Sequence, residues 1–436
     1  MYAFFSSLLA YSALLADVLA FLPGAGMLGA LAVSLAVVLG WRSMRVVPRG
    51  VFVVAGLALV FALGRDPALI AGAATNMTSL AGLILAVLLL SSVLARSRDL
   101  QKISASLFSG NPRARYASVT FGTALVSVPL NFGSVAVVGS LIAERIRTEG
   151  DSSATRNATR AVLRGFGVSP IWSPLSISVA LTLTLLPGLG SAQLFSVALP
   201  FALLVLLAGF LWREPEPAVI APVASTDRAG WASWLRFGGI IAAICVGVFL
   251  FSHTYGLSYA RSVTLSCLSA VAGGWLLSWF NGNNPKLPNM ANVSNELAIV
   301  GGSAFIGSII SAVVLGQMGG SVSLPGWAWP LLAALVPWTF YLAGLAGVNP
   351  IVIGSLAGGI LGSVWSADAL LGLGCGMVSG WGITAFGTPF AANALIMERL
   401  TGYPARDASL RWSLALSLSA LTLASLMASS LTLLLG

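Results

Sequence analysis

The stretch FGSVAVVGSLIAERI, residues 132–146, has a near match later in the chain, FGTPFAANALIMERL, residues 386–400. The two align without gaps at an offset of 254 residues, and both begin with Phe-Gly and keep Leu-Ile-x-Glu-Arg near the end. Each copy follows a Gly- and Ser-rich stretch and precedes a long apolar segment. Coincidence between two Gly- and Leu-rich segments is the alternative. We interpret the match as an internal repeat, a feature that can fix a whole architecture.

The composition of the chain predicts an integral membrane protein. Of 436 residues, 57% are hydrophobic and 8% are charged, whereas about 25% of the residues of a soluble domain are charged. The mean hydropathy is +0.94. A surface with so few charges cannot be covered by water, so we expect it to be surrounded by membrane lipid.

The distribution of apolar segments predicts an all-α polytopic membrane protein. Segments of about 20 apolar residues, enough to cross the hydrocarbon core, recur along the chain and predict roughly 11–13 transmembrane helices. The first of them, residues 2–22, lacks the basic region and cleavage site of a signal peptide, so we expect a helix there. The stretches 114–146 and 348–400 are apolar but broken by Gly, Pro, Ser and Asn.

A polar, Pro-rich linker at 213–232 divides the chain almost in half. It predicts an N-terminal half, 1–212, with a broken segment at about 114–146, and a C-terminal half, 233–436, with one at about 348–400. Each half is then a structural repeat that contains a re-entrant or broken helix.

The net charge of +9 does not indicate nucleic-acid binding, because the basic residues form no stripe interleaved with aromatic residues. Lys and Arg are concentrated in cytoplasmic loops of membrane proteins. Arg42, Arg45 and Arg49 therefore predict a cytoplasmic loop and an N-terminus inside the cell. Loops 186–191 and 318–325 carry no basic residue and are predicted to lie outside, whereas both matching stretches end inside.

Broken helices in a membrane predict a binding site. Backbone groups that lose their helical partners in lipid must be satisfied by protein, water or a ligand. The N-terminus of a half-helix suits an anionic group, and carbonyl and hydroxyl oxygens suit Na⁺. For each residue at these breaks, the asparagines included, the alternative is close helix packing, and for the two serines of the Ser-Pro steps it is a structural kink. The candidate substrate-binding residues are Asn131, Gly133, Ser134, Ser169, Ser173, Asn349, Pro350, Gly387, Thr388 and Asn393.

The chain does not have the residues expected of an enzyme or of a metal protein. It has one histidine, His253, and no cluster of Asp, Glu, His or Lys that would form a catalytic centre or hold a metal. No phosphate-binding GxxxxGK[ST] loop is present. We therefore expect no catalytic residue and no cofactor, only a coupling ion, Na⁺ or H⁺. Asp368 is either such an ion site or part of a turn that faces water.

The layout resembles the ion-transporter superfamily of secondary carriers, which includes divalent-anion:Na⁺ symporters, arsenite-pump membrane subunits and the large subunits of TRAP transporters. Residues 129–134, 349–350 and 386–389 occupy positions similar to the polar turns of that group. The resemblance implies a re-entrant hairpin and an interrupted helix in each half, and a homodimer. Two features depart from it. The Ser-Asn-Thr signature of the dicarboxylate branch is absent, and that group has inverted repeats, whereas both matching stretches here are predicted to end inside.

These features predict a secondary transporter in the bacterial inner membrane, moving a small anion or polar metabolite by alternating access. A channel or lipid flippase is the main alternative, and a membrane-embedded enzyme is a further one.

Overall fold

The computed structural model describes residues 2–95, 97–216, 230–282, 284, 286–317 and 324–436. Arg96, most of the predicted linker and residues 318–323 of the predicted outer loop lie outside the described residues. The described chain is all-α, as predicted. Its helices are α1 Tyr2–Val18, α2 Ala25–Gly40, α3 Val46–Arg65, α4 Ala68–Leu94, α5 Arg98–Ser106, α6 Pro112–Leu130, α7 Phe132–Glu149, α8 Ser153–Trp172, α9 Ile177–Leu185, α10 Ser191–Ala208, α11 Trp231–Thr254, α12 Tyr259–Phe280, α13 Ser294–Gln317, α14 Ala328–Leu345, α15 Pro350–Val364, α16 Leu370–Gly387, α17 Ala392–Thr401 and α18 Leu414–Leu435.

Eleven helical segments in the described part of the chain are long and apolar enough to cross a membrane. Two of them contain an interruption: Ser153–Leu185 comprises α8 and α9, and Leu370–Thr401 comprises α16 and α17. Large apolar side chains are exposed on α2, α3, α11 and α12, as expected where helices face acyl chains. The protein is a multi-pass membrane protein.

Local sequence signals explain where the helices near the matching stretches begin. The Asn111 side chain accepts from the Ala114 N–H, and Pro112 takes the first position of α6, where a missing N–H costs nothing. Ser152 and Thr155 form a reciprocal capping box at the start of α8. Asn349 caps α15 by accepting from the Ile351 N–H, again with a proline at the first helical position.

Each half contains a helical hairpin. Helices α6 and α7 are joined at Asn131, the one non-glycine residue with a positive φ (48°) in the described chain. Asn tolerates this left-handed conformation better than most residues. Helices α14 and α15 are joined at residues 346–349, where Gly347 has a φ of 80°. The predicted broken segments are therefore a hairpin in the first half, and a hairpin arm followed by an interrupted span in the second.

The two interrupted spans pack against each other in opposite directions. An added Cβ on Gly167 would lie 2.6 Å from the Cβ of Phe386, and one on Gly382 would lie 2.3 Å from Ile171. Further along, one on Gly374 would lie 3.6 Å from Thr182. As the residue numbers increase along α8 and α9, the numbers of the residues that they contact on α16 decrease, so the two spans are antiparallel. We call this contact the crossing.

The helices that surround the crossing are arranged in the same way in the two halves, but with the direction of the chain reversed. Helix α6 packs on α8 as α14 packs on α16, and α7 packs on α17 as α15 packs on α9. The equivalent of α7 is therefore α15, and the equivalent of α17 is α9. The aligned stretches 132–146 and 386–400 fall mainly on α7 and α17, which occupy different positions in this reversed order, so the predicted alignment is not a structural equivalence.

The matching stretches run in the same direction. The Phe132 ring contacts Phe166, and Phe386 meets the adjacent Gly167. At the other end, Asp151 after α7 accepts a hydrogen bond from Tyr403 after α17, over 2.6 Å. Both stretches end on one face, as the charges predict, even though the surrounding elements are arranged in reverse.

Most of the positive charge lies on that same face, which we call the basic face. It carries the ends of α2, α4, α7, α10 and α17 and the starts of α6, α8, α11, α13 and α18. The Arg45 N–H donates to the Asn295 side chain over 3.0 Å, which brings the loop after α2 to the start of α13. Among the Lys and Arg residues that the structure describes, only Arg65 and Arg261 belong to the opposite face. The first hairpin opens to the basic face and the second to the opposite face.

Candidate functional site

The first interruption, residues 173–176, separates α8 from α9. Pro174 cannot continue the ladder of helical hydrogen bonds because it has no backbone N–H. The Ser176 hydroxyl accepts from the Val179 N–H and donates to the Pro170 carbonyl, both over 3.2 Å. The interruption therefore starts a new helix with its own cap.

Four buried hydroxyl groups around this interruption and along α9 have no hydrogen-bond partner among the described residues: those of Ser173, Ser178, Thr182 and Ser379. Each residue is at most 1% exposed. Ser379 belongs to α16, and the contacts of Gly374 with Thr182 and of Gly382 with Ile171 place it level with the interruption. A buried hydroxyl without a partner costs about 1–3 kcal/mol. These four residues are the candidate site.

The backbone adds polarity to the candidate site. The first N–H groups of α9 have no helical partners, and the helix dipole places partial positive charge there. The last carbonyls of α8 carry the opposite partial charge at the same break. The site therefore offers donors for an oxyanion and oxygen atoms for a cation within one interruption.

Helix α12 holds the interruption from one side. The buried Tyr259 hydroxyl donates to the Pro174 carbonyl over 2.9 Å. The Tyr259 ring also packs near Phe195 of α10. The position of the interruption is thus fixed by a neighbouring span as well as by its own sequence.

The tip of the first hairpin contains three predicted site residues, Asn131, Gly133 and Ser134. The Ser134 hydroxyl donates to the Asn131 carbonyl over 2.7 Å and lies 2.7 Å from the Ser127 hydroxyl. Asn131 and Gly133 are half-buried. The structure brings these residues together, with Ser134 already engaged in hydrogen bonds of the tip.

The second interruption, residues 388–391, and the second hairpin are also in contact. An added Cβ on Gly344 would lie 3.2 Å from the Thr388 side chain, and one on Gly347 would lie 3.8 Å from the Phe390 ring. The hairpin turn that carries Asn349 and Pro350 thus lies against the interruption that carries Thr388.

Most polar side chains in this second group satisfy nearby backbone groups. The Asn349 side chain accepts from the Ile351 N–H over 2.9 Å. Asn393 donates to the Ala385 carbonyl over 2.8 Å and so bridges the interruption, while the Thr388 hydroxyl donates to the Thr384 carbonyl over 2.9 Å. The Gly387 carbonyl accepts from Tyr341. In this conformation these groups stabilise helix ends.

The remaining predicted residues are the two serines of the Ser-Pro steps. Ser169 donates to the Phe166 carbonyl over 2.8 Å, so its hydroxyl is satisfied within α8, whereas the Ser173 hydroxyl has no partner within the described ranges. Asp368 is exposed in the turn between α15 and α16, the second of the two placements considered for it. Sequence reasoning missed Ser178, Thr182 and Ser379. A search for hydroxyls within one or two turns of the Ser-Pro steps would have found the first two.

No protein-family model matches the chain, and no curated protein matches it significantly.

Proposed function

We propose that this membrane protein is a secondary active transporter that moves a small anion or polar metabolite by alternating access, with Na⁺ as the coupling ion. The observation that carries the proposal is the group of buried hydroxyls of Ser173, Ser178, Thr182 and Ser379, which have no partner among the described residues. They lie where one interrupted span crosses another. A buried hydroxyl without a protein partner can take water or a passing solute as its hydrogen-bond partner.

The chemistry of the site supports the choice of solute. The N-terminus of α9 favours an oxyanion, and hydroxyl and carbonyl oxygens are ligands that suit Na⁺. The four hydroxyl-bearing side chains of the site carry no charge, so a solute with polar or singly charged groups suits it better than a multivalent ion.

The reversed arrangement of the two halves supports alternating access. Transporters built from inverted repeats bind their substrates at the interface of the repeats and expose the site to each side in turn. Here one hairpin opens to each face and each is packed near an interrupted span. The same arrangement supports membership of the ion-transporter superfamily that the sequence resembles. The concentration of Lys and Arg on the basic face supports a cytoplasmic position of that face, and the membrane that we propose is the inner membrane of a bacterium. A homodimer is part of the proposal on that resemblance alone.

A thermal-shift screen of small anions tests the site. Each anion is measured once in NaCl and once with the NaCl replaced by choline chloride. The expected result is a stabilisation by one anion that increases with Na⁺. Ser178→Ala and Ser379→Ala are expected to weaken its binding about 3- to 10-fold each, the value of a neutral hydrogen bond. Ser303→Ala is the matched control, because Ser303 of α13 is equally buried and its hydroxyl has no hydrogen-bond partner in the part of the chain that the structure describes. If all three variants weakened anion binding equally, the result would contradict the proposed location of the binding site.

Transport by the reconstituted protein separates a carrier from the alternatives. A coupled carrier is expected to accumulate the anion in proteoliposomes only when a Na⁺ gradient is imposed, and to saturate. Flux that rises linearly with anion concentration and ignores the gradient would favour a channel. Lipid translocation without anion uptake would favour a flippase.

A further inference from the structure

A carboxyl group is buried between α1, α4 and α12, away from the hydroxyl site. The Asp17 side chain, near the end of α1, is 1% exposed. An added Cβ on Gly82, near the middle of the 27-residue helix α4, would lie 2.3 Å from the Asp17 Oδ2 atom. Ionisable side chains inside a membrane are costly and rare, and they mark functional sites. The hydroxyl site and the two hairpins make no use of this carboxyl.

Two side chains of α12 face the Asp17 carboxyl. The Thr264 hydroxyl donates to Oδ2 over 3.0 Å. The Arg261 Nε atom lies 3.8 Å from Oδ1, which is too far for a hydrogen bond. Oδ1 and the Arg261 Nε atom are both buried, and neither has a hydrogen-bond partner among the described residues. One oxygen of the carboxyl is therefore engaged, and the other is open.

The charge of this carboxyl is only partly compensated. Helix α1 packs chiefly on α2, α4 and α12. Helices α2 and α4 contain no titratable residue, so Arg261 of α12 is the one charged side chain that these three helices bring to Asp17. The other titratable residues of α12 are Tyr259, which donates to the Pro174 carbonyl, and the buried Cys267. A single cation that forms no hydrogen bond offsets part of the cost of burying a carboxylate, and a bound proton would remove that cost.

A cavity of about 70 Å³ lies against the open side of the carboxyl. Its lining includes Asp17, Arg261 and Thr264, and it extends to Phe21 in the loop after α1 and to Leu257 in the loop before α12. Both loops belong to the face opposite the basic face, and the Phe21 side chain is largely exposed. A cavity of this size holds about two water molecules. Water can therefore carry a proton between the opposite face and the carboxyl.

We propose that Asp17 is a proton-binding site that exchanges with water on the opposite face. The proton binds to Oδ1, while Oδ2 keeps the hydrogen bond from Thr264. The neutral acid no longer attracts Arg261, whose side chain is 29% exposed and can turn towards the water of the cavity. Release of the proton restores the ion pair. The alternative is a structural ion pair between α1 and α12, in which Asp17 stays ionised at every pH at which the protein is folded.

Helix α12 connects the proton site to the hydroxyl site. Tyr259 of this helix holds the first interruption through the Pro174 carbonyl, and Thr264 of the same helix holds Asp17. A change in the ion pair can therefore reach the interruption through one helix. Proton binding is nevertheless defined and measured without any solute. A failure of the transport assay leaves the proton site intact, and a failure of the proton site leaves the hydroxyl site intact.

Infrared difference spectroscopy of the purified protein between pH 6 and pH 9, in a detergent without ester groups, tests the site. Only a protonated carboxyl gives the carbonyl stretch that we call the acid band, and carboxyls exposed to water are ionised throughout this range, because their pKa is about 4. The expected result is an acid band at pH 6 that is lost at pH 9 and is absent from Asp17→Asn. Glu296→Gln is the matched control and should keep the band, because the Glu296 carboxylate also has a buried oxygen with no partner in the described part of the chain.

Two further variants keep the test decisive if Asp17→Asn does not fold. Arg261→Gln removes the attraction for the ionised carboxylate, so the acid band is expected to persist at a pH at which the parent has lost it. Arg65→Gln, at the other described basic residue of the opposite face, should leave the band unchanged. Thr264→Val removes the hydrogen bond to Oδ2 and is expected to move the band to higher frequency. A parent without an acid band, a band that survives Asp17→Asn, or a band that neither Arg261→Gln nor Thr264→Val alters would overturn the proton site.

Discussion

At the scale of single residues, the crossing depends on two positions where no side chain fits. An added Cβ on Gly167 would lie 2.8 Å from the backbone nitrogen of Phe386, and one on Gly382 would lie 2.9 Å from the Gly167 carbonyl. Backbone atoms cannot move aside as the end of a flexible side chain can. The two glycines therefore set how closely α8 and α16 approach.

Gly167→Ala and Gly382→Ala are each expected to destabilise the protein by about 1–3 kcal/mol, the usual cost of overpacking. The measurement is the melting temperature in detergent, which should fall by several degrees. Gly238→Ala in α11 is the control, because an added Cβ there meets nothing within 4 Å. If all three variants have the same melting temperature, α8 and α16 do not pack as closely as these contacts indicate.

The sequence predicted which residue types border the breaks, but not which hydroxyls remain free. Ser134 and Ser379 both follow glycine, or a glycine-rich stretch, in the sequence. The Ser134 hydroxyl donates to the Asn131 carbonyl, whereas that of Ser379 has no partner among the residues described. The difference depends on which neighbour faces each hydroxyl after the helices have packed. One helix alone does not contain that information.

At the scale of elements, the sequence predicted both broken segments and missed how they correspond. Residues 132–146 and 386–400 look alike but form α7 and α17, whose structural equivalents are α15 and α9. The Ser-Pro steps before α9 had no visible counterpart, although the interruption at 388–391 is one. Lipid restricts a segment mainly in length, polarity and backbone satisfaction. Equivalent elements can therefore share a shape without sharing residues.

A prediction about pH concerns the contact that joins the turn after α7 to the segment after α17. The Tyr403 hydroxyl donates to Asp151 and lowers the pKa of that carboxyl, with Arg156 contributing in the same direction. The stabilisation is complete above the ordinary Asp pKa of about 3.9 and is lost as the pH falls through the lower value of the folded protein. It should amount to less than about 1 kcal/mol, because Asp151 is exposed.

Tyr403→Phe should therefore lower the melting temperature slightly at pH 7, and the difference from the parent should shrink at pH 3. The part that remains at low pH is the hydrogen bond of Tyr403 with Thr155. Tyr341→Phe is the control, because Tyr341 donates to a carbonyl and not to a carboxylate. A difference that is the same at both pH values would remove Asp151 from the explanation.

At the scale of the whole molecule, composition and charge predicted most of what the structure describes. The paucity of charge predicted a polytopic membrane protein, and the arginines after the second span predicted the face on which the matching stretches end. This succeeds because both properties are sums over many residues. The reversed packing of the halves could not be predicted in the same way, since it depends on a few close contacts such as Gly167 with Phe386.

The basic face yields a prediction for the orientation of the protein. The Ser6 hydroxyl, near the start of α1, donates to the Ala291 carbonyl in the loop that precedes α13 over 3.0 Å, so α1 begins on the basic face. Helix α18 begins on that face as well and ends on the other. Because Lys and Arg are retained on the cytoplasmic side, we expect α1 to start inside the cell and α18 to end outside.

Epitope tags read with an impermeant label determine both positions. A tag placed after Gly436 should be labelled in intact spheroplasts, and a tag inserted between Glu216 and Gly230 should be labelled only after permeabilisation. A tag at the N-terminus should behave like the inserted one and controls for leakage. The opposite pattern would invert the protein, and the basic face would then lie outside the cell. In the structure, helices α11 to α18 begin on the basic face and end on the opposite face, so the chain crosses the membrane an odd number of times between the two tags. Equal labelling of the C-terminal and inserted tags would require an even number of crossings and would contradict this arrangement.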